Sequence, residues 1–141
     1  MQKYKILFVD EESLVKGTLT ADLVIKLNNA GYEALSVANP EKALELIERS
    51  PVDLIITERR FKGDVFDGFD FIKEVKRRLM CRPSSNKPVG TLMFTKNVDL
   101  AIAIQAKKND INDLACKPNT YRPDDYDKSD LVTTIERLLQ E

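Results

Sequence analysis

Three carboxylates, one hydroxyl and one ammonium in this chain stand where short apolar runs end. Asp10 and Glu11 close the run Ile6-Leu7-Phe8-Val9, and Glu58 closes Leu54-Ile55-Ile56-Thr57. Thr95 follows Met93-Phe94, and Lys117, before Pro118, follows Cys116. If one fold gathers them, the carboxylates repel each other unless a cation intervenes. Arg59 and Arg60, directly after Glu58, carry guanidinium groups of the bidentate type that pairs with carboxylates. The chain has no histidine. That removes Ser/His and Cys/His nucleophiles, HExxH metal sites and any histidine-borne phosphoryl relay within this chain. Cys81 and Cys116 show no metal or CxxC spacing and are expected to be one loop thiol and one core thiol, as in a reducing compartment.

The elements that must position these groups follow from periodicity. Lys5 to Val9 is almost wholly apolar, as a strand buried on both faces of a parallel sheet would be. Apolar residues Leu14, Leu19, Leu23, Val24 and Leu27 suggest a helix from Ser13 to Ala30, stopped at Gly31. A short strand at Leu35–Ala38 precedes Asn39-Pro40, which caps and opens a helix over Glu41–Arg49. Strands at Val52–Thr57, Val89–Phe94 and Ile111–Cys116 alternate with a helix carrying Phe71, Ile72, Val75 and Leu79 and another over Asp99–Lys108. Gly63, Asp64, Asp67 and Gly68 fall in one loop, residues 81–88 form a polar connection, and Asn109-Asp110 suits a left-handed turn. Leu131, Ile135, Leu138 and Leu139 mark a last helix capped near Ser129.

Five strand–helix alternations predict an α/β fold: a doubly wound five-stranded parallel sheet in flavodoxin-like order, sandwiched between two helical layers. Ligands of such sheets bind beyond the carboxyl ends of the strands, where strand order reverses. That is where Asp10, Glu11, Glu58, Thr95 and Lys117 stand. Read singly, Thr95 would cap the following helix, Lys117 would be solvated, and Asp10 or Glu11 would cap a helix. Their joint placement favours one shared site.

With these residues in this order, the chain resembles the receiver domains of bacterial response regulators over nearly its whole length. The matching stretches are Ile6 to Glu12, Asp53 to Glu58, Asp67-Gly68, Met93-Phe94-Thr95 and Cys116-Lys117-Pro118. The resemblance implies an acidic pair, here Asp10 and Glu11, that holds Mg²⁺. It implies a nucleophilic aspartate where this chain has Glu58, and phosphoryl contacts from Thr95 and Lys117. Those types suit phosphoryl transfer, which needs an in-line nucleophile, a divalent cation and fixed donors for developing charge.

The departures from that pattern are as informative. Glu58 retains the charge but adds a methylene, moving the carboxylate by about 1.5 Å. A misplacement of about 1 Å can cost on the order of 10²-fold in rate, so phosphorylation at Glu58 is expected to be slow or absent. Lys117 and Thr95 are then expected to hydrogen-bond Glu58 directly; Arg59 and Arg60 carry two readings, a guanidinium that stands in for Mg²⁺, with Arg60 the candidate, or a pair of solvent-facing loop residues. Any residual Mg²⁺ site would use Glu11 and Glu58, and no cofactor is required. Lys96 after Thr95, and Leu114 three before Lys117, weaken the usual relay. The Arg59–Gly68 loop is about two residues longer than the family pattern implies, and the Asn119–Ser129 loop is longer still; Tyr121, Asp124, Asp125, Tyr126 and Asp127 are expected to make the latter an exposed acidic-aromatic surface, either for binding or as a solvated loop with incidental tyrosines.

The reading is a single cytoplasmic receiver domain over residues 1–141, with or without an output domain beyond. It is a non-enzymatic pseudo-receiver working in a fixed or phosphomimetic state. Its partners are a sensor kinase or an output regulator, with a homodimer through helix four, strand five and helix five as a further expectation. One alternative is a receiver still regulated by phosphorylation or Mg²⁺; another is a flavodoxin-like binder of a small ligand. Against the latter, no GxGxxG or GxxxxGK[ST] motif occurs. A net charge of −1 excludes a wholesale electrostatic affinity for nucleic acid or an anionic membrane. No apolar run approaches the ~20 residues a bilayer-spanning helix needs.

Overall fold

A computed structural model describes residues 3–62, 66–80, 88–124 and 126–140. Within them the chain runs β1 (Lys5–Val9), α1 (Leu19–Asn29), β2 (Glu33–Val37), α2 (Pro40–Arg49), β3 (Leu54–Thr57), α3 (Gly68–Met80), β4 (Gly90–Thr95), α4 (Leu100–Lys108), β5 (Asp113–Cys116) and α5 (Ser129–Gln140). The sheet is wholly parallel in the order β2-β1-β3-β4-β5. This is the predicted doubly wound arrangement. Gly63 and Asp64 of the predicted loop, Cys81 and nearly all of the 81–88 connection, and Asp125 lie outside the described residues.

The near-continuous apolar strands build two cores because successive side chains point to opposite faces. Leu7, Val9, Ile55 and Met93 pack with Ala43 and Ile47 of α2, Phe71, Ile72 and Val75 of α3, and Ile102 and Ala106 of α4. Ile6, Phe8, Leu54, Ile56, Leu92 and Phe94 pack on the other side with Leu19, Leu23 and Leu27 of α1 and Leu131, Ile135 and Leu138 of α5. Pairing registers hold the strand ends level: Val9 lies beside Thr57, Thr57 beside Met93, and Thr95 beside Cys116.

The start of α1 corrects the periodicity argument. Residues Glu11–Leu14 form a 3₁₀ turn capped by Asp10, whose Oδ1 accepts from Glu12 N at 2.9 Å. Ser13 Oγ donates to Asp10 O at 2.6 Å. Gly17 at φ +89 then breaks the path, and Thr18 caps the true helix. Leu14, taken as part of the apolar stripe, is 61% exposed. The other boundaries shift by a few residues at most, Asn39 caps α2 through Lys42 N, and Asp110 takes the left-handed conformation (φ 55) that ends α4. Cys116 is exposed rather than a core thiol, because β5 is the edge strand.

Candidate functional site

Sheet register brings Asp10, Glu58, Thr95 and Lys117 to one cleft beyond the strand ends, with Glu11, Arg59, Arg60 and Lys96 around it. At its centre is Lys117, only 4% exposed. Its Nζ donates to Asp10 Oδ2 at 2.5 Å and to Glu58 Oε2 at 2.8 Å, and lies 3.5 Å from Glu12 Oε2. The Phe94 ring centroid is 5.4 Å from the same ammonium, and Lys117 N donates to Thr95 O at 2.8 Å, so both ends of the residue are held.

Asp10 is 5% exposed and therefore a carboxylate that must be compensated. Lys117 supplies charge, Thr20 Oγ1 donates to Oδ2 at 3.1 Å, and Glu12 N to Oδ1. Asp10 thus serves both as a cap and as a pocket group. Glu58 is more open, its side chain 19% exposed, with Oε1 accepting from Arg59 N at 2.7 Å. The extra methylene lets one Glu58 oxygen fold back onto the Arg59 amide while the other meets the ammonium.

The other predicted groups stand around this pair. Thr95 is buried in the cleft wall but makes no hydrogen bond to Glu58, and Asp99, not Thr95, caps α4 through Ile102 N. Arg60 is exposed at the rim of the cleft, and neither it nor Arg59 forms an ion pair with Asp10, Glu11 or Glu58; Arg59 Nε is buried without a partner. The intervening cation is Lys117 itself. Glu11, named with Glu58 as a possible metal pair, accepts from Lys62 N at 2.9 Å. Among the described residues no cluster of three or more acidic or thiol groups forms a ready metal site, and the Lys117 ammonium stands between Asp10 and Glu58. Thr20 and Glu12 were missed, since nothing in their spacing marks them before α1 and the 3₁₀ turn are docked.

The acidic-aromatic loop is also different from its expectation. Tyr121 and Tyr126 are half-buried against the apolar layer under α1 and α5 rather than displayed to solvent. Leu114 packs against the opposite core.

Burial by itself would lower the Lys117 pKa, but the charges and hydrogen bonds of Asp10 and Glu58 outweigh it and raise the value above 10.5. A group whose folded pKa is raised contributes stability that is complete below its unfolded value and lost as pH climbs through the folded one. Stability is therefore expected to hold from neutral pH to about 10.5 and to fall beyond it. Urea midpoints at pH 8, 10 and 11.5 check this; Lys117→Met should show a shallower alkaline decline than wild type.

The geometry agrees with what comparisons with known proteins find. The family model described as the response regulator receiver domain matches residues 6–124. A putative response regulator from Chloroflexus aurantiacus superposes with a TM-score of 0.74 at 26% identity, over 99% of this chain and 100% of that one. Chemotaxis protein CheY4 of Vibrio cholerae superposes at 0.75 with 22% identity, over 97% and 99%. A curated relative, the probable transcriptional regulator ycf27 of Porphyridium aerugineum, is 27% identical over 118 residues, 84% of this chain. The chain spans 43% of that relative's length.

Proposed function

Because the chain belongs to the response regulator receiver domains of two-component signalling, we propose that it acts as an atypical receiver that signals without phosphorylation at Glu58. The observation carrying this is the Lys117 ammonium, 2.8 Å from Glu58 and 2.5 Å from Asp10. Glu58 places negative charge toward the place a phosphoryl group would take, and Lys117 answers it. A divalent ion would have to displace that ammonium, so Mg²⁺ binding is weak. The domain therefore rests in one state, active-like in its charge pattern, and works by protein contact with a sensor kinase or an output regulator.

The face around α4, β5 and α5 is the proposed contact, by analogy with the family. It agrees with Leu100, Ile104 and Val98 at 76%, 48% and 37% exposure on and before α4. The same face would carry a homodimer. No helix among the described residues is long and apolar enough to cross a membrane, and a cytoplasmic site of action fits a family that reads kinases.

The test is an NMR titration of wild type and Glu58→Asp with Mg²⁺ and then beryllofluoride, which imitates an acyl phosphate on aspartate. Glu58→Asp alone should respond at Thr95, Lys117 and α4. A matching wild-type response would restore the phosphorylation switch and defeat this reading.

A further inference from the structure

Asp10 Oδ2 receives two donors from different parts of the fold: Lys117 Nζ, just after β5, and Thr20 Oγ1, on α1. A second bond ties the same two parts together. Tyr121 Oη donates to Asp22 Oδ2 at 2.5 Å, joining positions 99 residues apart. Tyr121 is four residues beyond Lys117 and Asp22 two beyond Thr20, so the contacts close a ring. It runs from Asp10 to Lys117, along the chain to Tyr121, across to Asp22, back to Thr20 and again to Asp10.

The segment that carries Tyr121 is packed rather than draped. The Tyr121 and Tyr126 rings meet edge-on with centroids 6.0 Å apart, and Lys128 Nζ sits 5.2 Å from the Tyr121 centroid. Both tyrosines rest against the layer containing Leu19, Leu23 and Leu131. Burial, and then the bond and charge of Asp22, hold the phenol protonated well above its ordinary pKa of 10.0. A phenol–carboxylate bond is charge-assisted and stronger than a neutral one.

We propose that Tyr121 is a positioning residue for the cleft: its bond to Asp22 latches the segment after β5 to α1 and keeps Lys117 seated between Asp10 and Glu58. The proposal rests on the reading of Lys117 as the cleft's resident cation. It makes the charge compensation of the cleft answer to an event on the outer surface of α1, a route of control that needs no phosphoryl group.

Tyr121→Phe keeps the ring and its packing and removes only the hydroxyl. The test uses ¹⁵N NMR of the Lys117 ammonium in the full chain, with Asp22→Asn as a second variant and a Mg²⁺ titration of each. In wild type the buried ammonium should give a slowly exchanging signal at low temperature. In Tyr121→Phe that signal should broaden or vanish, and Mg²⁺ affinity should rise by up to about tenfold, one hydrogen bond's worth carried through the ring. The double variant should do no more than either single one, because both remove the same bond. An unchanged Lys117 signal in Tyr121→Phe overturns the latch, even if the melting temperature drops, since a mere brace would lower stability alone. Lys117→Met separates the two readings: if it binds Mg²⁺ no better than wild type, the resident-cation reading fails, while the ammonium signal still decides the latch.

Discussion

Lys117→Met is expected to lower stability by about 3–5 kcal/mol at neutral pH, the range for removing one partner of a buried ion pair. Methionine matches the lysine stem up to Cε, lacking only the terminal nitrogen, so little of the loss comes from packing. The loss comes from Asp10, which is 5% exposed and would retain only the neutral donors Thr20 Oγ1 and Glu12 N. Glu58, more open, can turn outward and contributes less. Urea denaturation of both proteins gives the number. The gap should narrow as pH falls, because protonating the stranded carboxylate removes the uncompensated charge. A difference under about 1 kcal/mol would place this pair with ordinary surface ion pairs and would remove the physical basis for a resident cation.

Gly68→Ala should be nearly as damaging for a different reason. A Cβ on Gly68 would lie 2.3 Å from Glu58 O and 3.1 Å from Arg59 Cα, both backbone atoms. Neither can yield easily: Glu58 N is bonded to Val9 O, and Gly68 N to Arg59 O at 2.6 Å. Relief requires moving the start of α3 away from the end of β3, at about 3 kcal/mol by the usual cost of overpacking. Gly90→Ala makes the contrast. Its closest approach is 3.1 Å to Leu54 Cδ1, the end of a side chain that can rotate, so its cost should be clearly smaller. Thermal or urea unfolding of the two variants checks the order. Gly68→Ala should also perturb the Lys117 ammonium signal, since the displaced Glu58 backbone carries the carboxylate with it. Equal costs at the two glycines would mean that the β3–α3 junction is looser than these distances indicate.

The fold and the membership of the cleft were legible in the amino-acid order because both depend on local pattern. Three apolar runs buried on both faces, with two more open runs at the edges, can form little but a parallel sheet with helices on either side, and such a sheet brings its strand ends together. Asp10, Glu58, Thr95 and Lys117 could be assigned to one place on that ground. Periodicity misjudged the start of α1, since Leu14 falls in register with a stripe it does not join; Asp10 caps a 3₁₀ turn there and Gly17 breaks the path.

Which cation meets which carboxylate was decided only in three dimensions. Arg60 was nearer in sequence and better shaped for a carboxylate, yet after β3 it stays exposed at the rim without an ion pair to the cleft carboxylates, while Lys117 reaches Asp10 across 107 residues and Glu58 across 59. Thr20, Tyr121 and Asp22 entered the account in the same way. Hydrophobic periodicity reports which face of an element is buried, to a precision of a whole side chain. A hydrogen bond depends on a few tenths of an ångström, and that is set by how helices rotate and settle when two cores, built from residues far apart in the chain, pack at once.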